Sequence, residues 1–507
     1  MKAFLLYRDH DFDPQRELPL NEPALTQDLE LNTLFNAMAL GDNFIFEVAR
    51  KTVLSSLGDL DTILYRQNIL KDCLKNPLIV RDIYDIAIGA IESKKSHYYW
   101  FIGRYPSSIL YTSVGMMQAL VVFLKKLKNI AGEHADKFES AGLTTFFAML
   151  NQELSDEYFA SVQDHLRELK FRNGVLMSAE LGRGNKGTNY VLHKLQDQKQ
   201  SWLGRIFVSW LERIFAKTMP AYTYRIGHRD EMGARALGEL RARGINLVAN
   251  ALAQSADHIF SFFNLLKTEM AFYVGCLNLH DHLAKKGEPT CFPLPVAPGE
   301  RRECFNGLYD VCLALRLNQR VVGNDINADD KDLVIITGAN QGGKSTFLRS
   351  KGLAQLMMQC GMFVPAESFC ANICHGLFTH YKREEDVTMS SGKLDEELSR
   401  MSNIVDNVRG NSLLLFNESF AATNEREGSE IAWQLISALL EKRIKIFFVT
   451  HLYEFAHGLY DKGIGNAIFL RAERQADGGR TFKIIKGTPL ETSYGEDLYN
   501  SIFRTGN

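Results

Sequence analysis

The sequence predicts an α + α/β protein, an all-helical region followed by a domain with a largely parallel sheet, and three observations predict it. From about Leu29 to Leu127, apolar residues recur at three- and four-residue spacing, as at Leu60, Ile63, Leu64, Ile69 and Leu70. That is the period of a helix with one buried face. Glycine and proline cluster at Gly287–Pro289 and Pro293–Gly299, which marks a boundary. After Arg301, short apolar runs alternate with helical stretches, as in a sheet covered on both faces. The predicted division is residues 1–290 and 291–507.

Within the first part, Pro77 and Pro106 predict helix starts or turns, and Asp156–Leu169 predicts a further amphipathic helix. Val175–Met177 and Tyr190–Leu192 flank the loop Gly182–Gly187, predicting a β-hairpin with a basic tip. Trp202, Leu203, Ile206, Phe207, Trp210, Leu211, Ile214 and Phe215 fall on one helical face, read as core or partner-helix packing. A long helical stretch follows from about Glu231 to Leu283. In the second part Asp332–Thr337, Leu413–Phe416 and Ile444–Val449 predict buried strands, the last two separated by the helix Glu430–Glu441.

Composition is that of a globular protein, 46% hydrophobic and 23% charged, with a net charge of −2. No global field therefore draws the chain onto a polyanion, and any such contact must be local. One local excess exists. Between Lys170 and Arg229 there are eleven basic residues against three acidic ones. Arg183, Lys186, Lys194, Lys199 and Arg205 are the candidates for contact with nucleic-acid phosphates, a contact that is sequence-independent and salt-dependent. The competing reading is a solvated helix face.

Met1–Phe12 lacks a basic segment followed by a long apolar one, so no secretory signal is expected. No uninterrupted apolar run reaches the roughly 18–20 residues of a membrane span. The expectation is a cytoplasmic protein with no membrane partner. The eight cysteines contain no Cys-x-x-Cys pair and read as reduced thiols. Cys370, Cys374, His375 and His380 lack a standard zinc spacing and read as core residues.

Chemistry concentrates at Gly338, Ala339, Asn340, Gln341, Gly342, Gly343, Lys344, Ser345 and Thr346, which fit G-x-x-x-x-G-K-[ST] between a strand and a helix. Glycines let backbone N–H groups approach phosphate oxygens, and the helix N-terminus adds positive potential. Lys344 is expected to reach the outer phosphates of ATP and Ser345 to ligate Mg²⁺. The strand Leu413–Phe416 runs into Asn417 and Glu418, making Glu418 the candidate base. His451, just past the next strand, is the candidate sensor of the terminal phosphate.

These residues resemble the MutS family. Thr337–Thr346 is similar to its Thr-Gly-Pro-Asn-Met-Gly-Gly-Lys-Ser-Thr signature in eight of ten places. Gly361–Ala366, Val322–Asp325, Thr423 and Gly428 after Glu418, Thr450–His451 and Ser493–Gly495 extend the likeness, and Ile63–Leu70 resembles the opening core/lever helices. The resemblance implies a helical core/lever region, an ABC-like P-loop ATPase domain, and a homodimer through the ATPase domains. Double-stranded or branched DNA is then the implied partner. It also implies a serine loop completing the partner's site, for which Ser391 and Gly392 are the nearest residues.

Four departures qualify it. Asn417 stands where the family has an aspartate; an amide can hold a metal-bound water but brings no charge, which predicts weak Mg²⁺ binding and slow hydrolysis. The amino-terminal mismatch-reading domain, with its Phe-x-Glu wedge, is not found. Little chain follows Ser493–Gly495, so no Smr domain is expected. Val321 and Val322 replace an aromatic that stacks on adenine. The expectation is a slow, structure-directed DNA clamp. Its competitors are a non-hydrolysing nucleotide-gated clamp for a ribosome or protein, and a P-loop phosphotransferase.

Overall fold

In the computed structural model, residues 1–98, 105–172, 174–193, 225–383, 392–475 and 478–490 are described. The chain divides into two compact units. One runs over Asp85–Glu133 and Ala148–Asn264 together with Met1, and the other over Lys2–Tyr84, His134–Phe147 and Leu265–Asn507.

Among the described residues the first unit is helical apart from one hairpin and its connecting turns. Ser155 begins the helix Asp156–Glu168 by accepting the Tyr158 N–H, and Phe159 and Leu166 are its buried side chains. Phe123, on the helix Pro106–His134, meets Phe263 edge to face at 6.5 Å. The strands Leu176–Leu181 and Gly187–His193 pair antiparallel, with an irregularity between Ser178 and Glu180. Among the described residues one helix, Pro106–Lys137, is long and apolar enough to cross a membrane by length and composition. Thr112, Ser113 and Gln118 interrupt its apolar residues, so the sequence there holds no unbroken apolar run. Leu110, Val114, Met117, Leu120 and Leu124 on this helix are buried in the protein.

The second unit is mixed α/β. Its larger sheet has the strand order Arg480–Lys486, Ala467–Arg474, Leu333–Gly338, Lys445–Val449, Leu413–Asn417, Leu377–Tyr381. All neighbours are parallel except the first pair. The central strands are buried throughout, which is why they read as unbroken apolar runs rather than alternating ones. A smaller sheet orders Leu294–Val296, Ser368–Asn372, Glu303–Leu308 and Asn324–Asn327.

A charged cluster lies inside this unit. Glu303 is only 1% exposed and faces Lys351 at 3.0 Å and Lys445 at 3.3 Å. Lys445 also donates to the Asn372 side-chain oxygen at 2.6 Å, and Lys351 to Gln355 at 2.6 Å. Gln355 continues to Gln359, whose amide donates to Ser56, to the Leu57 carbonyl and to the Cys374 carbonyl. One carboxylate and five amide or ammonium side chains thus tie the helix Lys344–Gln359 to both sheets.

The amino-terminal segment is held by a second buried acid. Glu269 accepts the N–H groups of Leu5 at 2.7 Å and Phe12 at 3.2 Å, and Arg66 donates to the Leu6 carbonyl at 2.7 Å. Burial raises the Glu269 carboxyl from 4.5 to about 7, against the two backbone donors that lower it. A raised acid is more protonated folded than unfolded. Its contribution is therefore complete below about pH 4.5 and lost as pH rises through about 7. Glu269→Gln cannot ionise, so between pH 5 and 8 wild type should lose up to about 3 kcal/mol relative to the variant. Denaturant unfolding at the two pH values checks this; parallel behaviour contradicts it.

Candidate nucleotide site

The strand Leu333–Gly338 delivers the chain into a tight turn that the helix Lys344–Gln359 leaves. Gly338 has φ of +107°, and a Cβ there would lie 3.0 Å from the Ala472 backbone nitrogen. Gly342 is as constrained, because its Cβ would meet that of Ala472 at 2.6 Å. Gly343 starts the helix at φ of +87°. Only glycine satisfies the first and last of these conformations without strain. The backbone N–H groups of the first helical turn are left free for an anion.

Lys344 is buried and donates to the Gly338 and Ala339 carbonyls, each at 2.9 Å. Burial pulls its ammonium down to about 8, with Glu418 opposing the shift. The lysine is thus folded back onto its own loop, where a phosphate oxygen would give it a better partner. Ser345 donates to the Asn417 side-chain oxygen at 2.9 Å.

Asn417 ends its strand, and Glu418 then takes a left-handed conformation with φ of +55°. Its N–H bonds the Val449 carbonyl at 2.9 Å. A bulky residue in that region is uncommon and is a form of strain kept at functional sites. The His451 ring lies 3.2 Å from the Glu418 carboxylate. That hydrogen bond holds the carboxyl below its ordinary range despite burial. Glu418 is consequently ionised at neutral pH and able to accept a proton or orient water.

The glycine loop and Glu418 border a cleft of about 430 Å³. Gly342, Gly343, Lys344, Ser345 and Glu418 line it, as do Tyr309, Val321 and Val322. Sequence reasoning missed part of the enclosure. Asp310 accepts the Leu313 N–H and starts the helix Val311–Arg316, while receiving Arg349 at 2.5 Å. Arg480 donates to the Asn340 carbonyl at 3.2 Å, and Phe482 lines the cleft beside Gly343. An aspartate three residues before the N–H it caps is a legible signal; Arg480 and Phe482 carry none.

Two domain models cover most of the chain. Residues 58–286 match the MutS2 N-terminal domain, and residues 334–500, which contain every site residue from Gly338 to His451, match MutS domain V. The chain belongs to the MutS family.

The MutS-family chain is 32% identical over 206 residues to the DNA mismatch repair protein MutS of Thermotoga maritima, covering 40% of this chain and 26% of that protein. It is 32% identical over 241 residues to the protein of that name from Protochlamydia amoebophila, covering 46% and 28%. A Clostridium botulinum MutS matches at 38% over 132 residues, covering 25% and 14%. The chain thus covers less than a third of the length of each of these curated relatives.

Other expected residues fall elsewhere in this MutS-family chain. Gly392 is exposed and precedes the helix Lys393–Asn407, while Ser391 lies outside the described residues. Arg183 and Lys186 are exposed at the hairpin tip. Lys194, Lys199, Arg205, the apolar face of Trp202–Phe215 and Ser493–Gly495 lie outside the described residues. Cys374 bonds Gln359, His375 the Gly410 carbonyl, and His380 both Ser419 and the Glu397 carbonyl. Burial pulls the His380 ring down to about 4, as befits a neutral core histidine.

Proposed function

We propose that this MutS-family protein binds ATP at Gly338–Thr346 and hydrolyses it slowly, and that nucleotide state gates a dimeric clamp on DNA. The observation that carries the reading is Glu418, which lines one cleft together with the glycine loop and is hydrogen-bonded to His451. Loop amides and Lys344 meet the phosphates, and Glu418 orients the attacking water and accepts its proton. His451 holds that carboxylate ionised and in place.

Ser345 and Asn417 present two hard oxygens 2.9 Å apart, a set that suits Mg²⁺ completed by water and phosphate. When bound, the ion neutralises phosphate charge. Ser345 would hold it directly and Asn417 through water. Both protein donors are neutral, which supports weak metal binding and slow turnover. Asn417→Asp restores a charge at that position, so turnover at limiting Mg²⁺ should rise about tenfold. Unchanged or lower turnover contradicts the role given to Asn417.

The proposed division places the core/lever in residues 1–290 and the ATPase in residues 291–507, with a homodimer through the latter. The basic hairpin and its flanks, including Arg183 and Lys186, support DNA contact through phosphates. Recognition of duplex or branched shape fits them better than reading a mispair. The relatives' names support DNA repair as the setting.

ATP turnover and DNA binding measured with no DNA, duplex, mismatched duplex and four-way junction, at two salt concentrations, test the reading. Stimulation with binding that weakens as salt rises is expected. No stimulation together with no salt-sensitive binding removes DNA from the proposal. A nucleotide-gated clamp for a ribosome or protein partner is the second reading. Asn417 favours it, and ATP binding without measurable turnover would select it.

A further inference from the structure

The helical unit contains a cavity of about 680 Å³ that the proposed phosphate contacts of the hairpin do not use. The start of the helix Pro106–His134, the segment after Asp156–Glu168, and the helix Glu231–Lys285 enclose it. Among the described residues Lys170, Arg172 and Arg241 line it, and no aspartate or glutamate does. Among the described residues none of these three cations has an ion-pair partner. Elsewhere on the same unit some cations are paired, as Arg167 is with Asp164 and Lys128 with Asp156.

Two aromatics join the cations. Tyr111 is 75% exposed at the cavity wall, and Phe171 sits between Lys170 and Arg172 in a left-handed conformation with φ of +44°. Gln118 adds a side chain that both donates and accepts hydrogen bonds. Leu110 and Ile245 are buried, and with Val114 they give the cavity an apolar base. Unpaired cations, an exposed ring and an apolar base in one cavity match a ligand that is anionic at one end and flat and apolar at the other.

We propose that this cavity takes a nucleotide of a single-stranded DNA segment, with phosphate against Lys170, Arg172 and Arg241 and the base on Tyr111. The proposal rests on the DNA-binding reading and adds to it a preference for unpaired nucleotides. The volume falls within the roughly 300–1,000 Å³ of small-ligand sites. A duplex, whose major groove alone is about 12 Å wide, does not enter it. A base out of its stack does, and stacking on an aromatic face is tolerant of sequence. Phosphate contact by solvated cations makes the binding salt-dependent.

The test uses the full chain and fluorescently labelled DNA, as a blunt duplex and as the same duplex with a short single-stranded gap. Wild type should bind the gapped form about tenfold more tightly. Tyr111→Ala, and separately the pair Arg172→Glu with Arg241→Glu, should remove that preference while leaving blunt-duplex affinity within about twofold for Tyr111→Ala. A 5-iododeoxyuridine in the gap should crosslink to Tyr111 on irradiation. All three residues are exposed, so the folded state should be preserved, and an unchanged thermal unfolding curve verifies it. Equal wild-type affinity for both DNAs, or a gap preference that survives both variants, overturns the cavity while the DNA reading stands. Absence of salt-sensitive binding to either DNA overturns both.

Discussion

Glu303→Ala should lower the unfolding free energy by about 3–5 kcal/mol, as expected when one partner of a buried ion pair is removed. Glu303 faces Lys351 and Lys445, which are 0% and 6% exposed. Without the carboxylate, two ammonium groups stay in the interior with only Asn372 and Gln355 as acceptors. Burial already pulls the Lys351 ammonium below its ordinary value while Glu303 holds it up. The variant should therefore also lose its remaining stability less steeply at high pH, where Lys351 can shed its proton. Chemical denaturation of wild type, Glu303→Ala and Glu303→Gln checks the size. A loss under about 1 kcal/mol for the alanine variant would show that water or a side-chain rearrangement compensates the cluster.

Glu418→Gln should cut ATP turnover by about 100-fold or more, the lower end of what a positioned base contributes. ATP affinity should stay within a few-fold, because the loop and Lys344 are untouched. The amide retains a hydrogen bond to His451 but has no charge with which to take a proton. Turnover and binding of a fluorescent ATP analogue separate the two effects. A fall in affinity that matches the fall in turnover would make Glu418 a binding residue rather than the base.

Much of this was legible in the sequence because it is local. The loop Gly338–Thr346 is recognisable from spacing alone, since its function lies in backbone shape that glycines at fixed positions permit. Leu333–Gly338, Leu413–Asn417 and Lys445–Val449 read as strands because burial on both faces leaves a continuous apolar run. Asn417 and Glu418 were legible from the strand they end. The hairpin was legible from its glycine-rich tip.

Other features depend on partners that are distant along the chain. Glu303 lies 48 residues from Lys351 and 142 from Lys445, and in the sequence all three read as ordinary surface charges. Arg480 reaches Asn340 across 140 residues, and Phe482 joins the cleft only because its strand packs at the sheet edge. Tyr111, Arg172 and Arg241 are far apart in the chain and line one cavity only where two helices and the segment after Asp156–Glu168 converge.

The sequence by itself determined the phosphate-type loop, the acid beside it, the likeness to MutS and the alternation of helix and strand. These follow from backbone conformations and burial periods that neighbouring residues impose. Only the tertiary structure decided that Glu418 turns through a left-handed residue to meet His451, and that Lys344 rests on its own loop carbonyls. It alone placed a charged cluster in the core. A charge's energy depends on what surrounds it, and that environment is assembled from strands and helices far apart in the chain.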